Sequence, residues 1–417
     1  MKKAKNSYIA LILSCLFITS IFAQQSQEFI EVKGIVLNED NQKIEQATIS
    51  LSGTNSSTVT NKEGKFSLKV PTPISNQQFI VQAIGYTQQL VTLSKKNNKS
   101  LKIVLKTNAI NLDTTSIVAY KNAQELVKRV FKNRNKNYSG DNTLMTAFYR
   151  ETIKKGAKNA SLAEAIVNIY KQPYSNNRKD QIKILKSRKD TDYSRLDTIA
   201  LKLQGGPFST LFIDVMKYPE YIFTQKNLDT YTFKYDNLTE INGENVYVVD
   251  FKHPTNSLSP SYQGKLYIEA SSLALVKATC SLNLDNTNET TKLFVKRKPA
   301  NVNVKPRNIS YEVHYRQKNG TWIYGYSKAD LAFDVRKQRK LFKSTYTLSC
   351  EMAITDWETT TTKVSKKSDN IINKYIIMAD QNIGFGDAGF WGKYNVIEPE
   401  KSIQNAIKKI KRKLDTK

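Results

Sequence analysis

Between Val32 and Lys106 the chain alternates apolar and polar residues in short runs, as at Ile35 and Leu37 or at Phe66, Leu68 and Val70. Turn-forming clusters, Asn-Glu-Asp-Asn, Gly-Thr-Asn and Asn-Lys-Glu-Gly, separate the runs. A period of two puts successive side chains on opposite faces of a strand, so the pattern predicts a small all-β sandwich. Gly64 after Glu63 and Gly85 before Tyr86 stand where a sharp corner needs a residue tolerant of positive φ.

After a linker at 107–121 the period changes, and Ala123, Leu126, Val127, Val130 and Phe131 fall on one helical stripe. Strand-like runs then dominate, among them 144–155, 160–170, 246–253, 292–298, 309–317, 321–335 and 342–354. Asn242-Gly243 and Asn319-Gly320 predict tight antiparallel hairpins. Pro207 to Met216, after Gly205-Gly206, is a helical interruption with Phe208, Leu211, Phe212 and Val215 on its apolar side. Helices on one face of a long antiparallel sheet make an α+β domain.

Both termini add to this division. Lys2, Lys3 and Lys5 precede an apolar run from Ile9 to Ala23, the pattern of a secretory signal peptide cut after Ala23. Export places the protein in the periplasm or at the periphery of the outer membrane. Glu398-Pro399-Glu400 starts a helix in which Ile403, Ile407, Ile410 and Leu414 share a face and lysines fill the rest. Such a helix can lie on an anionic membrane or on its own sheet, and Phe390, Trp391 and Tyr394 just upstream favour the sheet. The expected organisation is a leader at 1–23, a sandwich at 24–106, the linker at 107–121, an α+β domain at 122–397 and the basic helix at 398–417.

The motifs of the first unit carry a resemblance. V-x-G-x-V, A-T-I-S-L-S-G-T, T-N-K-E-G-K-F-S-L-x-V-P and A-I-G-Y resemble the carboxypeptidase-like regulatory domain, a transthyretin-like sandwich, at Gly34, Ala47, Gly53, Thr60, Gly64, Phe66, Gly85 and Tyr86. Asn61 stands where that family usually has Asp. In metallocarboxypeptidases this module lies beside the catalytic domain and carries no catalytic residue, so the resemblance implies a fold and no peptidase. The segment from Tyr262 to Leu282 is similar to the central hairpin of the periplasmic lipoprotein-carrier half-barrel. The order of helix, FYRE strand, EAIVNIYK strand and FWGKYNVIEPE segment is similar to envelope proteins with the same N-terminal sandwich.

Chemistry is scarce in the sequence. A zinc peptidase needs a His and a Glu on one short segment plus a distant His. Here His253 precedes Pro-Thr-Asn and His314 precedes Tyr-Arg-Gln, and these are the 2 histidines of the chain. The same shortage argues against imidazole-based nucleophilic triads, and both histidines read as sheet positions. Glycoside hydrolysis needs only two carboxylates. Glu151, Glu164 and Glu269 are strand-borne acids that read as solvated or lysine-paired, so no catalytic residue, cofactor or metal ligand is expected. Cys280 and Cys350, in strand-like segments exposed to an oxidising compartment, could pair as a disulfide or stay as two buried thiols.

The 64 Lys+Arg outnumber the 37 Asp+Glu. For an exported chain this points to anionic envelope material or a solvated lysine surface and away from nucleic acid. If the sheet curls into a half-barrel, Tyr247, Val249, Phe251, Leu266 and Ile268 alternate onto its inner face and would suit an acyl chain; helices 122–134 and 207–216 could equally plug that face. The sequence therefore predicts a non-enzymatic, exported cell-envelope binding or scaffold module with an unidentified protein partner or acyl ligand. The alternatives are a periplasmic lipid or lipoprotein carrier and a carboxylate-based hydrolase.

Overall fold

The computed structural model describes residues 29–72, 77–94, 100–108, 122–191, 205–222, 228–253, 261–284, 291, 300–339, 341–361, 370–378 and 389–415. The expected leader, most of the linker and the strand expected at 292–298 lie outside the described residues.

The first unit is two sheets face to face. Strands β1 (Phe29–Asn38), β2 (Thr48–Leu51), β3 (Ser57–Val59), β4 (Lys65–Pro71), β5 (Gln78–Gln82), β6 (Gln89–Thr92) and β7 (Leu101–Leu105) follow the alternating runs. They assemble as β4-β1-β7 and β3-β2-β5-β6. Their inward residues, among them Val32, Val36, Ile49, Phe66, Leu68, Val70, Phe79 and Ile103, form one core. Gly64 and Gly85 adopt φ of 71° and 83°, as their corners require.

Helices α1 (Ala123–Lys132) and α2 (Arg134–Asn137) come next. The Asn122 side chain caps α1 by accepting from the Gln124 N–H, and the expected stripe of Ala123, Leu126, Val127, Val130 and Phe131 is buried. The strands that follow are β8 (Thr143–Lys155), β9 (Lys158–Lys171) and β10 (Gln181–Thr191), then β11 (Thr232–Ile241), β12 (Glu244–Lys252), β13 (Tyr262–Glu269), β14 (Leu275–Leu282), β15 (Val302–Lys318), β16 (Thr321–Lys337) and β17 (Ser344–Thr359). A short helix α3 (Pro207–Leu211) separates β10 from β11, and α4 (Lys401–Asp415) follows β17.

These strands form one 10-stranded sheet in the order β10-β9-β8-β17-β16-β15-β14-β13-β12-β11. The last strand returns to lie antiparallel between β16 and β8, which joins the two hairpin runs. Asn242 (φ 55°), Gly243 (φ 84°), Asn319 (φ 52°) and Gly320 (φ 77°) have the positive φ of two-residue hairpin turns, at the expected sites.

Both faces of this sheet are covered. One carries Met145, Ala147, Tyr149, Val167, Ile169, Met352 and Ile354 against α1 and the 205–222 segment. The other carries Phe148, Ile166, Tyr326 and Ala353 against Val59 of the sandwich and Trp391, Val396 and Ile397 of the C-terminal segment. The helix expected at 207–216 stops at Leu211, because the following turns deliver Asp214 into the core.

Candidate functional site

Two places concentrate polar chemistry, one on each face of the large sheet. On the helix-covered face, Asp214 is fully buried and saturated. Its Oδ2 accepts from Lys171 Nζ (2.7 Å) and the Tyr174 hydroxyl (2.9 Å), and its Oδ1 accepts from the Tyr315 hydroxyl (2.9 Å). Lys171 Nζ also donates to Asp180 Oδ2 at 2.8 Å. Burial would drive the Lys171 ammonium toward neutrality, but Asp180 and Asp214 outweigh it and raise its pKa. The cluster ties the 205–222 segment to β9 and β15.

Tyr247, Val249, Phe251, Leu266 and Ile268, on β12 and β13, are buried, each no more than 3% exposed. They share one core with Leu126, Val127 and Val130 of α1 and with Phe208 and Leu211 of α3.

Cys280 and Cys350 are both buried and free. The register runs from Cys280 through Tyr311 and Ala329 to Cys350, so two strands lie between them. Three strand spacings amount to about 14 Å, twice the reach of a disulfide at about 7 Å. The two strand-like segments are not neighbours, which corrects the disulfide pairing that the sequence left open. Cys350 Sγ lies 3.3 Å from Ser209 Oγ.

The opposite face is the seam with the sandwich. Strand β3 is an edge strand of that sandwich, and its hydroxyls reach across: Ser57 Oγ donates to the Ile354 carbonyl (3.2 Å) and Thr58 Oγ1 to the Val396 carbonyl (3.0 Å). The docked edge is closed to further pairing. Arg316 lies over Gly325, donates from Nη2 to the Ile354 carbonyl (2.8 Å), and also donates to Ser57 Oγ. Gln46 donates to Glu312 at 2.9 Å, Lys328 pairs with Glu45 at 3.0 Å, and Asn61 donates to the Glu398 carbonyl at 2.8 Å.

Beside these contacts a second charged network is buried. Glu164 is unexposed and receives Arg150 Nε at one oxygen and Arg188 Nε at the other, each at 2.7 Å. Arg150 also reaches Glu351 (3.2 Å) and the Ile397 carbonyl (2.8 Å). Burial pushes the Glu164 carboxyl up, but the two guanidinium groups outweigh it and hold it below the usual range. The C-terminal segment lies on this network, with Trp391 edge-on to Phe148 and under Arg188.

Clefts flank the seam. One of ≈ 250 Å³ is lined by Lys43, Gln46, Gln82, Lys277, His314 and Arg316, among others. One of ≈ 450 Å³ on the other side is lined by Ser56, Lys69, Thr146, Asn168, Asp356 and Asn395, among others. In the first, His314 Nε2 meets Glu312 Oε1 at 2.7 Å. Burial and then Lys277 lower the imidazole's pKa, while His314 and Lys277 overcome burial to hold Glu312 well below the usual carboxylate range. Among the described residues no hydroxyl or thiol hydrogen-bonds to the other ring nitrogen. His253 directly follows β12 and packs edge-on to Tyr231.

The acids singled out in the sequence are neither solvated nor lysine-paired. Glu151, Glu164 and Glu269 are 1%, 0% and 4% exposed. Glu151 accepts from the Tyr149 hydroxyl at 2.9 Å, and Glu269 accepts from Ser272. Glu151 and Glu164 point to opposite faces of the sheet. Among the described residues no cluster of His, Cys, Asp and Glu could hold a metal ion.

The class of protein thus defined is a transthyretin-like sandwich mounted on the back of a large antiparallel α+β sheet. The family model for the CarboxypepD_reg-like domain matches residues 32–117, well under half of the chain. No curated protein matches the sequence. A putative outer membrane lipoprotein-sorting protein domain from Vibrio parahaemolyticus is 10% identical at a TM-score of 0.26, covering 58% of this chain and 94% of that one. A LolA superfamily protein from Nitrosomonas europaea is 10% identical at a TM-score of 0.23, covering 57% and 95%. A putative membrane-associated protein of unknown function from Bacteroides fragilis is 8% identical at a TM-score of 0.16, covering 79% and 99%. Scores this low establish neither a shared activity nor a shared ligand.

Proposed function

We propose that this is a non-enzymatic, exported cell-envelope protein that acts as a binding or scaffold module, with its ligand-facing surface along the seam between sandwich and sheet. The supporting observation is how the buried polar groups are used. Glu164, Arg150, Lys171 and Asp214 each spend their hydrogen bonds on holding one part of the chain to another. Catalytic groups would instead converge on a space that a substrate can enter. The two seam clefts are open, mixed in polarity and assembled from both units.

The rival carrier reading needs a hollow at Tyr247, Val249, Phe251, Leu266 and Ile268. Their burial in one continuous core with the apolar stripe of α1 weighs against it. Native mass spectrometry of protein purified gently from the periplasm, with solvent extraction and chemical cross-linking, separates the two. A clean apo mass with a cross-linked protein partner at the seam supports the scaffold reading. A stoichiometric acyl-containing adduct overturns it in favour of the carrier.

The division at 24–106, 107–121, 122–397 and 398–417 is part of the proposal, and limited proteolysis should cut first within 107–121. The basic helix belongs with the body of the protein: Ile403 of α4 is buried, Asn159 donates to the Ser402 carbonyl, and the Lys401 N–H donates to Glu63.

A further inference from the structure

The hairpin joining β16 to β17 reads RKQRKLFK from Arg336 to Lys343, and at its apex Leu341 and Phe342 are each 86% exposed. The hairpin extends past one neighbour and runs level with the start of the other. On one side the β8–β9 turn ends level with Thr345, where the Gly156 N–H donates to the Thr345 carbonyl at 2.8 Å. On the other side β15 starts at Val302 opposite Lys337, and the Gln338 N–H donates to the Asn301 carbonyl at 2.8 Å. An adjacent aliphatic and aromatic pair therefore stands exposed past the β8–β9 turn, level with the start of β15.

The rim below the pair is cationic across three neighbouring elements. Arg336, Arg339 and Lys343 are exposed on the hairpin itself, Lys158 at the start of β9, and Lys305 and Arg307 on β15. The acid facing them in the hairpin, Asp334, is engaged by Lys343 at 2.6 Å and by the Thr345 hydroxyl at 2.9 Å.

We propose that this hairpin apex docks the protein onto an anionic phospholipid surface, with Leu341 and Phe342 entering the interface and the basic rim resting on the headgroups. Two side chains offer far less apolar area than the roughly 800 Å² per partner of a stable protein interface. They are enough to seat a loop in a bilayer boundary when several lysines and arginines add their weak attractions to lipid phosphates. A rim spread over three elements fits an extended charged plane better than a single acidic peptide.

The test is co-sedimentation of the full mature chain with phosphatidylglycerol-containing vesicles and with pure phosphatidylcholine vesicles. The expected result is pelleting with the anionic vesicles alone, weakened by salt. It should fall at least about tenfold in Leu341→Ser/Phe342→Ser and also in Arg339→Gln/Lys343→Gln. Both pairs are exposed, so unchanged thermal unfolding verifies that the variants are folded. Equal pelleting with both vesicle types, or an apex double variant that binds like the parent, overturns the proposal. No pelleting with either vesicle also overturns it and leaves the apex to a protein partner.

Discussion

Glu151→Gln should change how the stability of this protein depends on pH. Glu151 is 1% exposed on the helix-covered face; one carboxyl oxygen accepts from the Tyr149 hydroxyl at 2.9 Å, and the other has no hydrogen-bond partner. Burial raises its pKa from 4.5 to about 7, with the Tyr149 hydroxyl pulling the other way. The folded state therefore binds the proton more tightly than the unfolded state. Stability is highest with the proton on, falls as pH rises from about 4.5 to about 7, and levels off above. The gap corresponds to a loss of roughly 3 kcal/mol across that window. The amide has nearly the same shape and nothing to ionise. Relative to the parent, the variant should gain about 3 kcal/mol between about pH 4 and about pH 8. Urea unfolding followed by circular dichroism over that range measures the difference, and the other titrating groups cancel because both proteins share them. A difference that stays flat with pH, or a variant that loses ground above neutrality, would refute a protonated Glu151 in the core.

The remaining predictions concern the back of the sheet and the close approach of β13 to β14. Glu164→Gln leaves Arg150 and Arg188 buried without their shared carboxylate, and should cost about 3–5 kcal/mol with a red shift of Trp391 emission as the C-terminal segment loosens. The parent's Glu164 carboxyl is held below its ordinary pKa, so its stabilisation is present at neutral pH and is lost as pH falls through the folded-state value; a blue-shifted, fully stable variant would count against the network. Gly264→Ala would place a methyl 1.8 Å from the Thr279 carbonyl oxygen on the facing strand. It should destabilise by at least about 1–3 kcal/mol in the same urea assay, and parental stability would contradict the close approach of β13 to β14.

The strands were legible in the sequence because their signal is local. Alternation marks β1, β4 and β12, and two Asn-Gly pairs mark hairpins at 242–243 and 319–320 that need φ > 0. Buried charge was not legible, because it depends on what covers each face. Tyr149, Arg150 and Glu151 are consecutive and all buried, which happens only when a strand is covered on both sides. An acid inside an apolar run such as AFYRETI is the one local hint of this, and alternation alone places it on a solvated face. The run from Phe342 to Ile354 reads as one strand, although its first residue stands exposed before the ladder begins at Ser344.

The seam was the least accessible feature, for a reason specific to its chemistry. Among its binding groups are short hydroxyls on an edge strand, Ser57 and Thr58, whose acceptors are main-chain carbonyls of Ile354 and Val396, about three hundred positions away. Backbone acceptors leave no trace in residue identity. Arg316 adds the side-chain half of the contact, yet its place depends on Gly325, where a Cβ would lie 2.9 Å from Arg316 Cγ. Gly325 reads in the sequence as a weak point in a strand of Tyr, Ile and Trp. In the fold a side chain there would crowd the half-buried Arg316 that reaches Ser57 of the sandwich, so the loss of strand propensity at that position makes room for one of the contacts that join the two units.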